Sequence, residues 1–130
     1  MSQGTNNKNL TTDVTFEKVS YTGKRCLENQ NGYTNDFTFD DVEAYLEEMF
    51  EDFDQFVTLE LVEATHGIRF IQACRIDGGI DVELGLENAT GTKLVARTCS
   101  EEECIAVFQK FYKYSMVDDL DDYKPMAFRV

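Results

Sequence analysis

The sequence predicts an α+β fold, an antiparallel β-sheet meander of four to six strands with two α-helices packed on one face. Three observations predict it. Two segments space their apolar residues at helical intervals behind a capping signal. Four segments between them alternate apolar and polar residues with a period of two. The separators between those strands are short and rich in glycine and asparagine, which favours hairpins over crossovers. Helices and strands that are segregated in this way build a layered α+β domain. At 130 residues the chain is long enough for one domain. A chain of that size buries about two thirds of its unfolded surface. We divide it into a polar leader, residues 1–12, and a single domain, residues 13–130.

Taken in order, "VTFEKVSYTG" (14–23) alternates weakly and is expected to form a short first strand. Residues 24–36 read as loop, with turn signals at Asn31-Gly32 and Asn35-Asp36. The first helix follows Thr38. Asp41 stands three residues on, in the place of the usual glutamate of a capping box. Asp40 and Asp41 suit the positive end of the helix dipole. Phe39, Val42, Tyr45, Leu46, Met49, Phe50 and Phe53 make an apolar stripe, while Asp40, Glu43, Glu47, Glu51 and Asp54 fall on the other face.

The period then becomes two. Residues 55–64 place Val57, Leu59 and Leu61 on one side. Residues 67–76 are mostly apolar, as in a central strand. Residues 79–87 send Ile80, Val82, Leu84 and Leu86 inward and Asp81, Glu83 and Glu87 outward, and residues 92–99 alternate again. Ser100 and Glu103 form a capping box for the second helix, residues 100–115, with Cys104, Ile105, Val107, Phe108, Phe111 and Tyr112 as its stripe. Lys110 and Lys113 lie near its C-terminal end, where cations are favoured. Pro125 stops any helix in the tail, and Met126 and Phe128 are expected to add an edge strand or pack on the sheet.

Charge narrows the function classes. Twelve bases against 25 acids give a formal charge of −13. Such a chain is repelled by nucleic acid and by anionic membranes, and it attracts a basic protein. No run approaches the roughly 18 apolar residues of a membrane helix. The N-terminal "MSQGTNNKNLTTDV" has no apolar core and does not read as a signal peptide. The expected location is a cytoplasm. Acidity also serves solubility, so a charged surface alone does not define a site.

Catalytic and metal chemistry is sparsely provided. The only histidine, His66, stands in a hairpin turn, so a nucleophile has no evident base. Cys26, Cys74, Cys99 and Cys104 fit no zinc spacing and read as free, partly buried thiols. Cys99 and Cys104 flank a strand-to-helix junction where a bridge is conceivable. The acidic runs "EDFDQ" and "DDLDD" lack the calcium-loop pattern. We therefore expect no enzyme, no cofactor and no metal site. What remains is a surface. Asp40, Glu43, Glu47 and Glu51 on the first helix, and Asp118, Asp119, Asp121 and Asp122 in the tail, would attract a basic partner. Tyr114 and Tyr123, beside the tail acids, would be its anchors.

The stretches "RFIQACRIDGGIDVELGLEN" and "SEEECIAVFQKFYKYSMVDDLDDYKPM" resemble a diffuse group of small bacterial proteins. Several of these sit among the immunity proteins of polymorphic toxin systems, some against deaminase toxins. The resemblance spans residues 38–126, and Tyr123 stands where many members carry tryptophan. It implies an α+β fold and an inhibitor role, with no catalytic residues to transfer. The expected function is an immunity-type protein that neutralises a cognate toxin by covering its basic active-site region. The alternatives are an acidic housekeeping adaptor and a small ligand-binding protein with a pocket near Arg69 or Arg97.

Overall fold

In the computed structural model the described residues are 23–126. They form a seven-stranded antiparallel sheet and two α-helices, an α+β fold with more strands than the four to six expected. The elements are β1 (Arg25–Asn29), β2 (Gly32–Thr34), α1 (Phe39–Met49), β3 (Phe56–Thr65), β4 (Ile68–Ile76), β5 (Gly79–Asn88), β6 (Gly91–Cys99), α2 (Glu101–Tyr114) and β7 (Lys124–Pro125). The strand order is β2-β1-β3-β4-β5-β6-β7. The strand expected at residues 14–23 and the tail residue Phe128 lie outside the described residues.

The strands β3 to β6 form the expected meander. Alternation decides the faces. Leu59, Ile71 and Leu84 stand in register across β3, β4 and β5, and all are fully buried under the helices. Val42, Leu46 and Met49 of α1, with Cys104, Phe108 and Phe111 of α2, fill the space against them. Burying each such side chain contributes about 1.5–3 kcal/mol. The layer between sheet and helices is therefore core at these positions. Arg69 donates through Nε to the Leu61 carbonyl at 2.7 Å and pairs with Glu60 and Glu87.

The region expected to be loop, residues 24–36, forms the β1–β2 hairpin. Leu27 is buried opposite Leu59 and extends the sheet. Alternation is hidden here because the other helix-side positions are Arg25 and Asn29. Arg25 is accommodated by stacking its guanidinium 3.9 Å from the centre of the Tyr112 ring. On the sheet's other face, Phe70 covers Gly85, its register partner on β5. A Cβ at Gly85 would stand 2.2 Å from a Phe70 ring carbon, so glycine is what lets the ring lie flat on the strand.

α1 ends at Met49, short of the Asp54 that the stripe suggested. The Asp52 carboxylate accepts from the Asp54 N–H at 2.8 Å, a local turn that competes with further helix. Phe53 is consequently 56% exposed, with the Arg75 guanidinium 4.7 Å over its ring. Arg75, from β4, also donates to the Phe50 carbonyl at the end of α1. α1 has no basic residue in its last turn, so this strand arginine supplies the cation that the dipole favours there.

α2 starts on the box that the sequence announced. The Glu103 N–H donates to Ser100 Oγ at 3.1 Å, and the Ser100 N–H donates to Glu103 Oε1 at 2.8 Å. Cys99 precedes the cap and Cys104 is the fourth residue of the helix, the positions of a hydrophobic staple. Both are free, buried thiols. The helix closes on Ser115 in the left-handed region, φ 59°. His66, at the exposed β3–β4 turn and also left-handed, places Nδ1 3.2 Å from the Ser115 carbonyl oxygen.

Candidate functional site

The sequence singled out two acidic groups, and the fold treats them differently. α1 packs against β3 and β4, whereas the tail runs along the β6 edge beyond α2. On α1, Asp40 and Glu47 are exposed and Glu43 is half-buried. Glu51 is exposed in the turn after the helix. Asp41 is spent on the cap, accepting from the Thr38 N–H at 2.9 Å. Among the described residues no ion pair involves an α1 carboxylate. Their charge is uncompensated because α1 carries no base, and its buried stripe interleaves with its acids at no cost to the core.

The tail acids are all exposed, but two of them are engaged. Asp118 Oδ1 lies 2.8 Å from Lys110 Nζ, and Asp122 lies 3.7 Å from Arg97. Asp119 holds a left-handed backbone, φ 54°, which aspartate tolerates better than most residues, and its carbonyl accepts from the Asp122 N–H. This cluster helps to shape the turn Leu120–Asp122 that brings the chain back to β6.

The two tyrosines differ in burial. Tyr114 is half-buried at the end of α2. Tyr123 is only 5% exposed and belongs to the core, so it is not placed to anchor a partner. Its acidic neighbours in sequence suggested the surface. The turn at Leu120–Asp122 reverses the chain and points it inward, where Arg97 lies 5.5 Å from its ring centre. Burial holds the Tyr123 phenol well above its ordinary range, up to about 12. Among the described residues its hydroxyl has no hydrogen-bond partner.

Two groupings escaped the sequence. Cys74 Sγ and the carboxylates of Asp81 and Glu83 lie within 4.8 Å of one another on the sheet face opposite the helices. The hairpin at Asp77-Gly78 pairs Cys74 with Asp81, so extending the register by hand would have found them. Burial first, then Asp81 and Glu83, push the Cys74 thiol up. That favours a protonated thiol at neutral pH. The second grouping is a groove of about 320 Å³ between β2 and α1, lined by Asn29, Asn31, Gly32, Tyr33, Tyr45 and Glu48. Spacing alone puts Tyr45 on the core stripe and Tyr33 in a loop. Tyr33 is in fact 73% exposed on an edge strand.

No family model matches this chain, and no curated protein and no solved structure matches it either. Among the described residues no helix is long and apolar enough to cross a membrane.

Proposed function

We propose that this chain is an immunity-type protein, which binds a cognate bacterial toxin and covers the toxin's basic active-site region. The observation that carries the reading is α1. Asp40, Glu43 and Glu47 of this helix, and Glu51 just after it, stand outside every ion pair among the described residues, and the helix carries no base of its own. A formal charge of −13 adds a long-range field of the same sign. Together they suit a partner whose binding face is cationic, as the active site of a nucleic-acid-directed toxin is. Charges of this kind act chiefly on encounter and on choice of partner, so the contact energy must come from elsewhere on the surface. The tail acids are the weaker half of the proposed surface, because Lys110 and Arg97 already occupy two of them.

The experiment is co-expression with the product of any toxin gene found to adjoin this chain's own gene, followed by stopped-flow association of the purified pair. The chain should abolish the toxicity. The triple variant Glu43→Lys, Glu47→Lys and Glu51→Lys should slow association on the order of tenfold at low salt, with the difference closing as salt is raised. An unchanged rate rejects this helix as the surface. Failure to protect against any neighbouring toxin favours an acidic adaptor instead.

A further inference from the structure

We infer that the groove between β2 and α1 seats an extended, cationic segment of the protein partner, which adds a strand to the sheet at Tyr33 and sets an arginine or lysine against Glu48. The inference rests on the toxin-binding reading above and gives it a docking mode.

The ladder identifies a pair of backbone groups with no strand partner among the described residues. The Val62 N–H donates to the Lys24 carbonyl at 3.2 Å, so Lys24 bonds towards β3. Bonding direction alternates along an antiparallel strand. Cys26 and Glu28 therefore also bond β3, and Leu27 and Asn29 bond β2 through Thr34 and Gly32. Tyr33 sits opposite Glu28, in the pair that exchanges no hydrogen bonds. Its N–H and C=O consequently point away from β1, and β2 is the last strand on that side among the described residues. An unpaired edge of this kind is a template for an incoming strand.

The groove beside that edge is kept vacant by the backbone. Gly32 stands opposite Asn29, on the side of the sheet that faces α1. Among the described residues nothing lies within 4 Å of where its Cβ would be, and its φ of 137° discourages any residue that has one. Across the gap, Tyr45 and Glu48 stand three residues apart on one side of α1 and so are neighbours. A cation resting on the Tyr45 ring reaches the Glu48 carboxylate from there. Side chains of an added strand alternate between faces, so the segment that fits carries its bases at every second position. A second copy of this chain suits the edge poorly, since it would bring the same acidic helix against this one.

The probe is a capped pentapeptide alternating arginine and threonine, titrated into the full chain at 150 mM salt and followed by amide NMR. The Tyr33 amide should show the largest shift and slowed hydrogen exchange. Tyr33→Pro, which removes the outward N–H of an edge strand together with the ring and fixes φ there, should weaken binding about tenfold, whereas Tyr33→Ala, which removes the ring alone, should leave it within about threefold. Glu48→Gln should cost about fivefold to tenfold. N-methylating the peptide's central residue tests the same pairing from the other side and does not depend on the variant folding. Shifts scattered over Asp40, Glu43 and the tail acids and erased by salt, or full binding by Tyr33→Pro and by the methylated peptide, overturn the inference. So does a concentration-dependent dimer that Tyr33→Pro abolishes. A toxin that binds Tyr33→Pro at full strength refutes the groove while leaving the immunity role intact. Peptide binding at Tyr33 without any protected toxin does the reverse.

Discussion

Gly85→Ala should change the sign of its effect on stability according to what stands at residue 70. An alanine Cβ there would be 2.2, 2.5 and 2.6 Å from three carbons of the Phe70 ring. Carbon atoms rest about 3.5–4.0 Å apart, so the ring must move by more than 1 Å. Overpacking of this kind costs about 1–3 kcal/mol. Against that, Gly85 is not among the glycines with positive φ, so alanine can adopt its backbone. Restricting the unfolded chain then returns about 0.4–1 kcal/mol. In the parent chain the net loss should be about 1–2 kcal/mol, a fall in Tm of a few degrees for a domain of this size. In a Phe70→Ala background the clash is gone and only the gain remains, about 0.5 kcal/mol. The coupling between the two sites is thus about 2 kcal/mol. Urea unfolding of the four proteins, followed by far-UV circular dichroism and by tyrosine fluorescence in a chain without tryptophan, reads it directly. Additivity within about 0.5 kcal/mol would refute the claim that Phe70 rests on Gly85.

Tyr123→Phe should be neutral or stabilising by up to about 1 kcal/mol at pH 7, because it removes a buried hydroxyl that finds no partner among the described residues. The same variant should flatten the alkaline loss of stability. A phenol raised to about 12 in the fold contributes stability that is complete below its ordinary 10.0 and is lost as pH climbs through 12, about 2–3 kcal/mol in all. Urea midpoints of both proteins between pH 8 and pH 11.5 check it, and parallel curves would contradict it. Ser100→Ala should cost about 1 kcal/mol by losing the bond from the Glu103 N–H, visible as a lower urea midpoint. The Ser100 N–H holds the Glu103 carboxyl below its ordinary value, so that half of the box weakens as pH falls through the lowered range; alanine keeps this N–H, so the deficit of the variant, which comes from the lost Oγ, should persist at pH 3.

Local signals were legible wherever a residue's role is set by its immediate neighbours. Ser100 and Glu103 find each other within one turn, and Ile80, Val82 and Leu84 declare a half-buried strand by alternation alone. Roles fixed by distant parts of the chain were not legible. Arg25 and Asn29 break the pattern of β1, because the sheet margin admits polar groups once Tyr112 is there to stack on. Phe53 keeps helical spacing, yet the Asp52 turn and the Arg75 guanidinium take it off the helix. Tyr123 lies among aspartates in sequence and among core residues in space, since the turn before it reverses the chain. The acids of the candidate surface could be placed on their helix from spacing. Which of them are neutralised, Asp118 by Lys110 and Asp122 by Arg97, depends on contacts across eight and 25 residues that spacing does not encode.

The arginine that β4 lends to the end of α1 has a thermodynamic corollary. With Thr38 bound at one end and Phe50 held by Arg75 at the other, the backbone that carries the row of carboxylates is held at both ends before anything arrives. A ligand that settles on that row forfeits little backbone freedom in organising it, so more of each favourable contact survives as affinity. Cutting the Arg75 tether should therefore loosen a complex without touching a single atom of its interface.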